Sequence, residues 1–215
     1  MPTKSRQSSG RFPALGVLCS GQGTNLQAIL DAARTGRLRA RVAVVISDRA
    51  DAPALARAAR AGVPAHFVNP KAYAGRVAYD HALIQHLERA GVEMVCLAGF
   101  MRILSPRFIR RFRGCVLNIH PALLPAFPGA QAIHDALAWG AKVTGVTVHL
   151  ADEQIDHGPI ILQEAVPIAP GETQATLLAK LHRVEHRVYP QAIQTLLDGR
   201  AAVRGRRVGI RRAPR

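Results

Sequence analysis

The sequence predicts an α/β fold: a doubly wound, mostly parallel sheet flanked by helices. Three observations carry the prediction. Short apolar runs alternate with segments whose apolar residues recur at helical spacing. The runs are rich in Val, Ile and Leu without polar alternation, as in strands buried on both faces. Turn residues, glycine above all, separate one element from the next. Strands that alternate with helices are joined by crossovers, and crossovers make neighbouring strands parallel.

The elements follow in order. ALGVLCS, 14–20, reads as a strand ended by Gly21. In TNLQAILDAARTG, Leu26, Ile29, Leu30 and Ala33 fall at helical spacing; Thr24 or Asn25 opens the helix and Gly36 closes it. RVAVVIS, 41–47, is a second strand. The alanine-rich 52–62 is a helix with Pro53 in its first turn and Gly62 near its end. A short strand at 63–68, a long amphipathic helix at 73–91 and a fourth strand at 92–100 come next. Ser105 caps a shorter helix over 105–112, with Pro106 in the first turn. CVLNIH, 115–120, is the fifth strand. A helix at 129–140, strands at 143–150 and 159–168, and a long helix at 172–199 complete the pattern, the last expected to be irregular at Pro190. A small hairpin is expected around Arg204 and Gly205. With no internal repeat between 13 and 199, the expected organisation is a flexible extension at 1–12, one domain over 13–208 and a basic tail at 209–215.

Composition narrows the function classes. Of 215 residues, 48% are hydrophobic and 20% charged, which is globular and not disordered. No apolar stretch approaches the roughly 20 residues of a membrane span. The basic, polar start lacks the apolar run of a secretory signal, so a cytoplasmic location is expected. Cys19, Cys96 and Cys115 sit in apolar runs and read as small buried hydrophobes. The net charge of +15 is concentrated at the ends: residues 1–11 carry Lys4, Arg6 and Arg11, and 200–215 carry seven arginines, with no acid in either segment. No aromatic residues interleave those arginines, so a nucleic-acid partner is not expected, and a polyanion-binding tail is the rival reading.

Two segments carry chemistry. SGQGTN, 20–25, joins the first strand to the first helix. Gly21 and Gly23 permit a tight turn, and free N–H groups at the helix start suit an anion. Leu26 stands where a dinucleotide fingerprint wants Gly or Ala, so a single phosphate fits better than a pyrophosphate. Asp48, ending the second strand, keeps a nicotinamide-dependent oxidoreductase among the alternatives. The second feature is a set of polar segments near predicted strand ends: NIHP (118–121), TVHL (147–150) and DEQIDHGP (152–159). Asn118 and His120, two apart on a strand, point to one face. An amide stabilises an oxyanion and an imidazole moves a proton near neutral pH. Asp156 can orient the imidazole and favour its charged form. The trio suits acyl transfer through a tetrahedral intermediate, with the substrate's own amine as nucleophile, since GxSxG is absent. The metal spacings HExxH, HxxEH and CxxC are missing, and no metal is expected.

SGQGTNLQAI, LAGFMRILSP, NIHPALLPAFPG, TGVTVHLADEQIDHGPII and EHRVYP together resemble the phosphoribosylglycinamide formyltransferases, folate-dependent enzymes of purine synthesis, in order and with fitting spacing from about 14 to 199. The resemblance implies a formyltransferase-like fold whose N-terminal half binds a mononucleotide. It implies transfer of the formyl group of 10-formyltetrahydrofolate to the amine of N1-(5-phospho-D-ribosyl)glycinamide, without a metal, by a monomer or homodimer acting on small molecules. By motif, Asn118, His120 and Asp156 match the catalytic residues. Gly23, Thr24 and Asn25 match the phosphate loop, and His182, Arg183, Val184 and Glu185 match a substrate-holding segment. Arg76 and Met101, Arg102, Ile103 and Leu104 match folate contacts. Asn118 and the loop Asp152, Glu153, Gln154, Ile155 and Asp156 complete the folate side. Ala122 and Ala126 depart from the pattern outside the trio. A formyltetrahydrofolate hydrolase, or another formylfolate-dependent formyltransferase, is the alternative.

Overall fold

The structure, a computed structural model, describes residues 12–211. One large sheet has the strand order β3-β2-β1-β4-β5-β6-β7. Its parallel part comprises β1 (Ala14–Cys19), β2 (Arg41–Ser47), β3 (Ala65–Phe67), β4 (Met94–Leu97) and β5 (Val116–His120). Two antiparallel strands, β6 (Val143–Leu150) and β7 (Ile160–Pro167), extend one edge. The link between them, 151–159, is shorter than a crossover requires, so β7 can only return antiparallel.

Helices cover both faces. Leu15, Val17 and Cys19 point from β1 into a cluster with α1 (Thr24–Arg34), α2 (Pro53–Arg60) and α6 (Gln174–Leu197), joined by Ile133 and Leu137 of α5 (Ala132–Ala138). Leu18 points the other way, among Val44, Ile46 and Val95, beneath α3 (Arg76–Arg89) and α4 (Pro106–Arg111). That alternation is the period-2 geometry of a strand buried on both sides. Cys19 and Cys96 are buried within it, and burial pushes each thiol up to about 12, so they pack as hydrophobes. The Ser105 hydroxyl caps α4 by accepting from the Phe108 N–H at 3.4 Å.

α6 departs from expectation, running unbroken through Pro190. Proline removes one intrahelical hydrogen bond, but Tyr189 beside it is fully buried. Its hydroxyl lies 2.9 and 2.8 Å from the carbonyls of Leu97 and Leu117, on adjacent strands, and that packing keeps the segment helical. The terminal hairpin is β8 (Ala201–Arg204) and β9 (Arg207–Ile210). Gly209 and Ile210, assigned to the tail from sequence, close its ladder opposite Ala202 and Ala201. The extension at 1–12, Phe12 excepted, and the tail from 212 onward lie outside the described residues. Among the described residues no helix is long and apolar enough to cross a membrane.

The order 3-2-1-4-5 reverses direction between β1 and β4, where open α/β sheets form a crevice at the strands' carboxyl ends. Leu18 pairs with Leu97 and Leu97 with Asn118, so Asn118 stands level with that edge and His120 projects beyond it.

Candidate active site

Asn118 and His120 share one face of β5, and Asp156 reaches both. The Asn118 amide nitrogen donates to Asp156 Oδ1 at 3.3 Å, and His120 Nδ1 lies 3.4 Å from Asp156 Oδ2. The antiparallel pairing of β6 adds a residue the sequence reading did not select. His149 sits directly opposite Asn118, its Nε2 3.0 Å from the amide nitrogen. His149 Nδ1 is 3.1 Å from the Leu150 carbonyl. A carbonyl only accepts, so Nδ1 carries the proton and Nε2 accepts from Asn118. Both amide hydrogens of Asn118 are thus engaged. Likewise His120 Nε2 donates to the Phe127 carbonyl at 2.8 Å, which turns Nδ1 toward Asp156.

Two braces hold these groups. In the loop after β5, the buried Thr147 hydroxyl donates to the Ala122 carbonyl at 2.6 Å and accepts from the Leu124 N–H at 3.1 Å. Gln163 donates to the Leu124 carbonyl and to Thr147 Oγ1, both at 2.9 Å. This loop delivers Phe127 in a left-handed conformation, φ 51°. In the loop after β6, a Cβ on Gly158 would lie 1.8 Å from the Leu150 carbonyl oxygen, so only glycine allows the chain to fold back there. Asp156 is the other left-handed non-glycine residue among those described, φ 49°, and the Gly129 N–H fixes its Oδ2 at 2.8 Å. Two such conformations meeting at one polar cluster mark a site held against local preference.

The electrostatics set two effects against each other at His120. Burial pushes the His120 imidazole below its ordinary value; the Asp156 charge and the Phe127 carbonyl pull it back up without prevailing. Asp156 favours the charged form, but burial outweighs it, and the net shift favours the neutral imidazole. For Asp156, burial acts upward, but the hydrogen bonds it accepts at the cluster, that of the Gly129 N–H among them, keep the carboxyl below its usual range.

Beside the cluster opens a cavity of about 370 Å³. Met101, Arg102, Ile103 and Leu104, Asp152 through Asp156, and Asn118, His120 and His149 all line it. Apolar walls from Leu97, Phe100 and Ile109 suit a flat ring system, so the residues fit a folate. Arg76 starts α3, is exposed and does not line the cavity. The Asp152–Asp156 loop is tied down from outside: Asp152 accepts from His157 Nδ1 at 2.7 Å, and Arg206 of the terminal hairpin donates to His157 Nε2 at 2.7 Å.

The glycine turn lies on the α1 side. Gly23 has φ 69°, and a Cβ there would sit 2.7 Å from that of Ala54. No side chain caps α1 and no acid occupies its first turn, which leaves its N–H groups and partial positive charge for a guest. Arg57 braces the turn by donating to the Gln22 carbonyl at 2.8 Å. The Asn25 amide donates to Glu185 Oε2 at 2.8 Å, and His182 Nε2 lies 4.0 Å from the same oxygen. Burial pushes the Glu185 carboxyl up; the Asn25 hydrogen bond and the His182 charge oppose this without prevailing. Arg183 is exposed and Val184 packs against the core, because one helical turn cannot aim four consecutive side chains at one point. Thr24, at the first position of α1, is half-buried.

An open, mostly parallel sheet flanked by helices, with a polar cluster and a cavity at its switch point, defines an enzyme of the doubly wound α/β class. Within that class the chain belongs to the formyl transferase family, whose model matches residues 15–193. It is 43% identical over 184 residues to phosphoribosylglycinamide formyltransferase of Escherichia coli (strain K12), covering 86% of this chain and 87% of that protein. It is 47% identical over 183 residues to the trifunctional purine biosynthetic protein adenosine-3 of Homo sapiens, covering 85% of this chain but only 18% of that longer protein. Glycinamide ribonucleotide transformylase 1 from Symbiobacterium toebii superposes with a TM-score of 0.92 at 52% identity, covering 94% of this chain and 95% of that one.

Proposed function

We propose that the protein transfers the formyl group of 10-formyltetrahydrofolate to the amine of N1-(5-phospho-D-ribosyl)glycinamide. One observation carries the reading: the Asn118–His120–Asp156 cluster lines the folate-sized cavity, at the same carboxyl edge as the uncapped start of α1. The names of the similar proteins support formyl transfer to that acceptor. The donor supplies an activated formyl carbon. The N–H groups at 23–25 hold the acceptor's phosphate, Glu185 receives its sugar, and its amine reaches the formyl carbon beside Asn118. Attack places negative charge on the formyl oxygen. The 3.3 Å hydrogen bond from Asn118 to Asp156 is the weaker of its two, and the oxyanion takes it over. Neutral His120 accepts the amine's proton, directly or through water, and Asp156 stabilises the imidazolium. That proton then passes to the departing folate nitrogen as its bond to carbon breaks. Holding amine and carbon together supplies much of the remaining acceleration.

The test is acceptor dependence. Tetrahydrofolate should appear only when the acceptor is present, with one formylated acceptor for each. Release of formate without acceptor would instead assign the chain to the hydrolases.

A further inference from the structure

A second cavity, of about 800 Å³, opens at the carboxyl ends of β1, β2 and β3. None of the residues assigned to the acceptor lines it. Its most telling member is Asp48, the first residue past β2. The side chain is only 9% exposed, and Oδ1 is sealed from solvent with no hydrogen-bond partner. The other oxygen has Arg102 Nη1 at 3.8 Å, too far for a hydrogen bond. A desolvated carboxylate left this poorly satisfied is expensive to keep, and few native polar groups are kept so without use.

The surroundings narrow the guest. Arg49 is occupied, forking onto Asp51 at 3.2 and 2.9 Å. Lys71 also lines the cavity and enters no ion pair among the described residues, so it is free for an anion. Phe67 ends β3 with 43% exposure and offers the cavity an aromatic ring. An acid at the end of the second strand of a doubly wound sheet stands where such folds receive ribose hydroxyls. We propose that this cavity binds a ribonucleoside phosphate distinct from the formyl acceptor. Asp48 Oδ2, the oxygen that is not sealed, accepts from the ribose hydroxyls, Phe67 faces the base and Lys71 meets the phosphate. A volume of this size suits such a ligand. Gly99, Met101 and Arg102 line both cavities, so the occupant also touches the wall of the folate side.

The test is calorimetric titration of the full chain with AMP, GMP and UMP. At least one should bind saturably at one site and persist when N1-(5-phospho-D-ribosyl)glycinamide is saturating. Its 2′-deoxy analogue should bind at least tenfold more weakly. Asp48→Asn should weaken the ribonucleotide by a similar factor, while Lys71→Ala should weaken the nucleotide but not its parent nucleoside. Melting curves check that both variants are folded. Three results would overturn the proposal: no binding of any of the three nucleotides, binding indifferent to Asp48→Asn, or displacement by the formyl acceptor. The titration needs no turnover, so a failure of formyl transfer would leave the binding result standing.

Discussion

At the residue scale, the chemistry turns on which nitrogens carry protons. His120 is pushed below its ordinary 6.5 by burial, and the proposed mechanism uses its neutral form. Folding disfavours its charged form, so function is retained at neutral pH and lost as pH falls through the lowered value. kcat/KM should therefore show an acid limb below pH 6.5, and His120→Gln should abolish the limb along with most of the activity; a limb that survives the substitution would assign it to another group. Glu185 shifts the other way. Its folded-state carboxyl is raised by burial, so its contribution to stability is present at low pH and declines as pH rises through the folded value. Glu185→Gln keeps an acceptor for Asn25 and sheds the buried charge. It should stabilise the protein at pH 7.5 by about 1 kcal/mol, with little change at pH 4, while raising KM for the acceptor. Urea melts at the two pH values, set beside steady-state kinetics, check both halves.

At the element scale, the site depends on parts that never touch substrate. Arg206, on the turn of the terminal hairpin, supports the 152–156 loop, proposed to face the folate, through His157 and Asp152. Arg206→Ala should raise KM for 10-formyltetrahydrofolate several-fold and leave kcat unchanged. An equal loss in kcat, or none in KM, would deny the hairpin that role. The Tyr189 hydroxyl joins α6 to β4 and β5. Tyr189→Phe removes the single O–H that two buried strand carbonyls share and should cost about 1–3 kcal/mol in denaturant unfolding. Runs such as 41–47 showed their strand, and Ser105 its cap, from local pattern alone. The continuity of α6 through Pro190 was not legible, because the contacts that support it join residues 92 and 72 positions apart.

At the scale of the whole molecule, topology decides what local pattern cannot. Asn118, His120 and Asp156 were readable as residue types in polar segments near strand ends, and the cavity wall at 101–104 and 152–156, proposed to hold the folate, came from motif resemblance. His149 was not singled out, although its segment was, because only antiparallel pairing sets it opposite Asn118. The Phe127 carbonyl and Gly129 N–H were beyond reach, since backbone groups in a loop leave no signature of where they point. The neutrality of His120 follows from burial by elements distant in sequence, which no motif reports. The proposed mechanism requires that these assembled groups lower the barrier to formyl transfer itself. Single-turnover transfer by Asp156→Asn, with donor and acceptor both saturating, measures this most directly. The variant should bind both substrates as the parent does and transfer the formyl group about 10²–10³-fold more slowly. Transfer at the parent rate would contradict that mechanism.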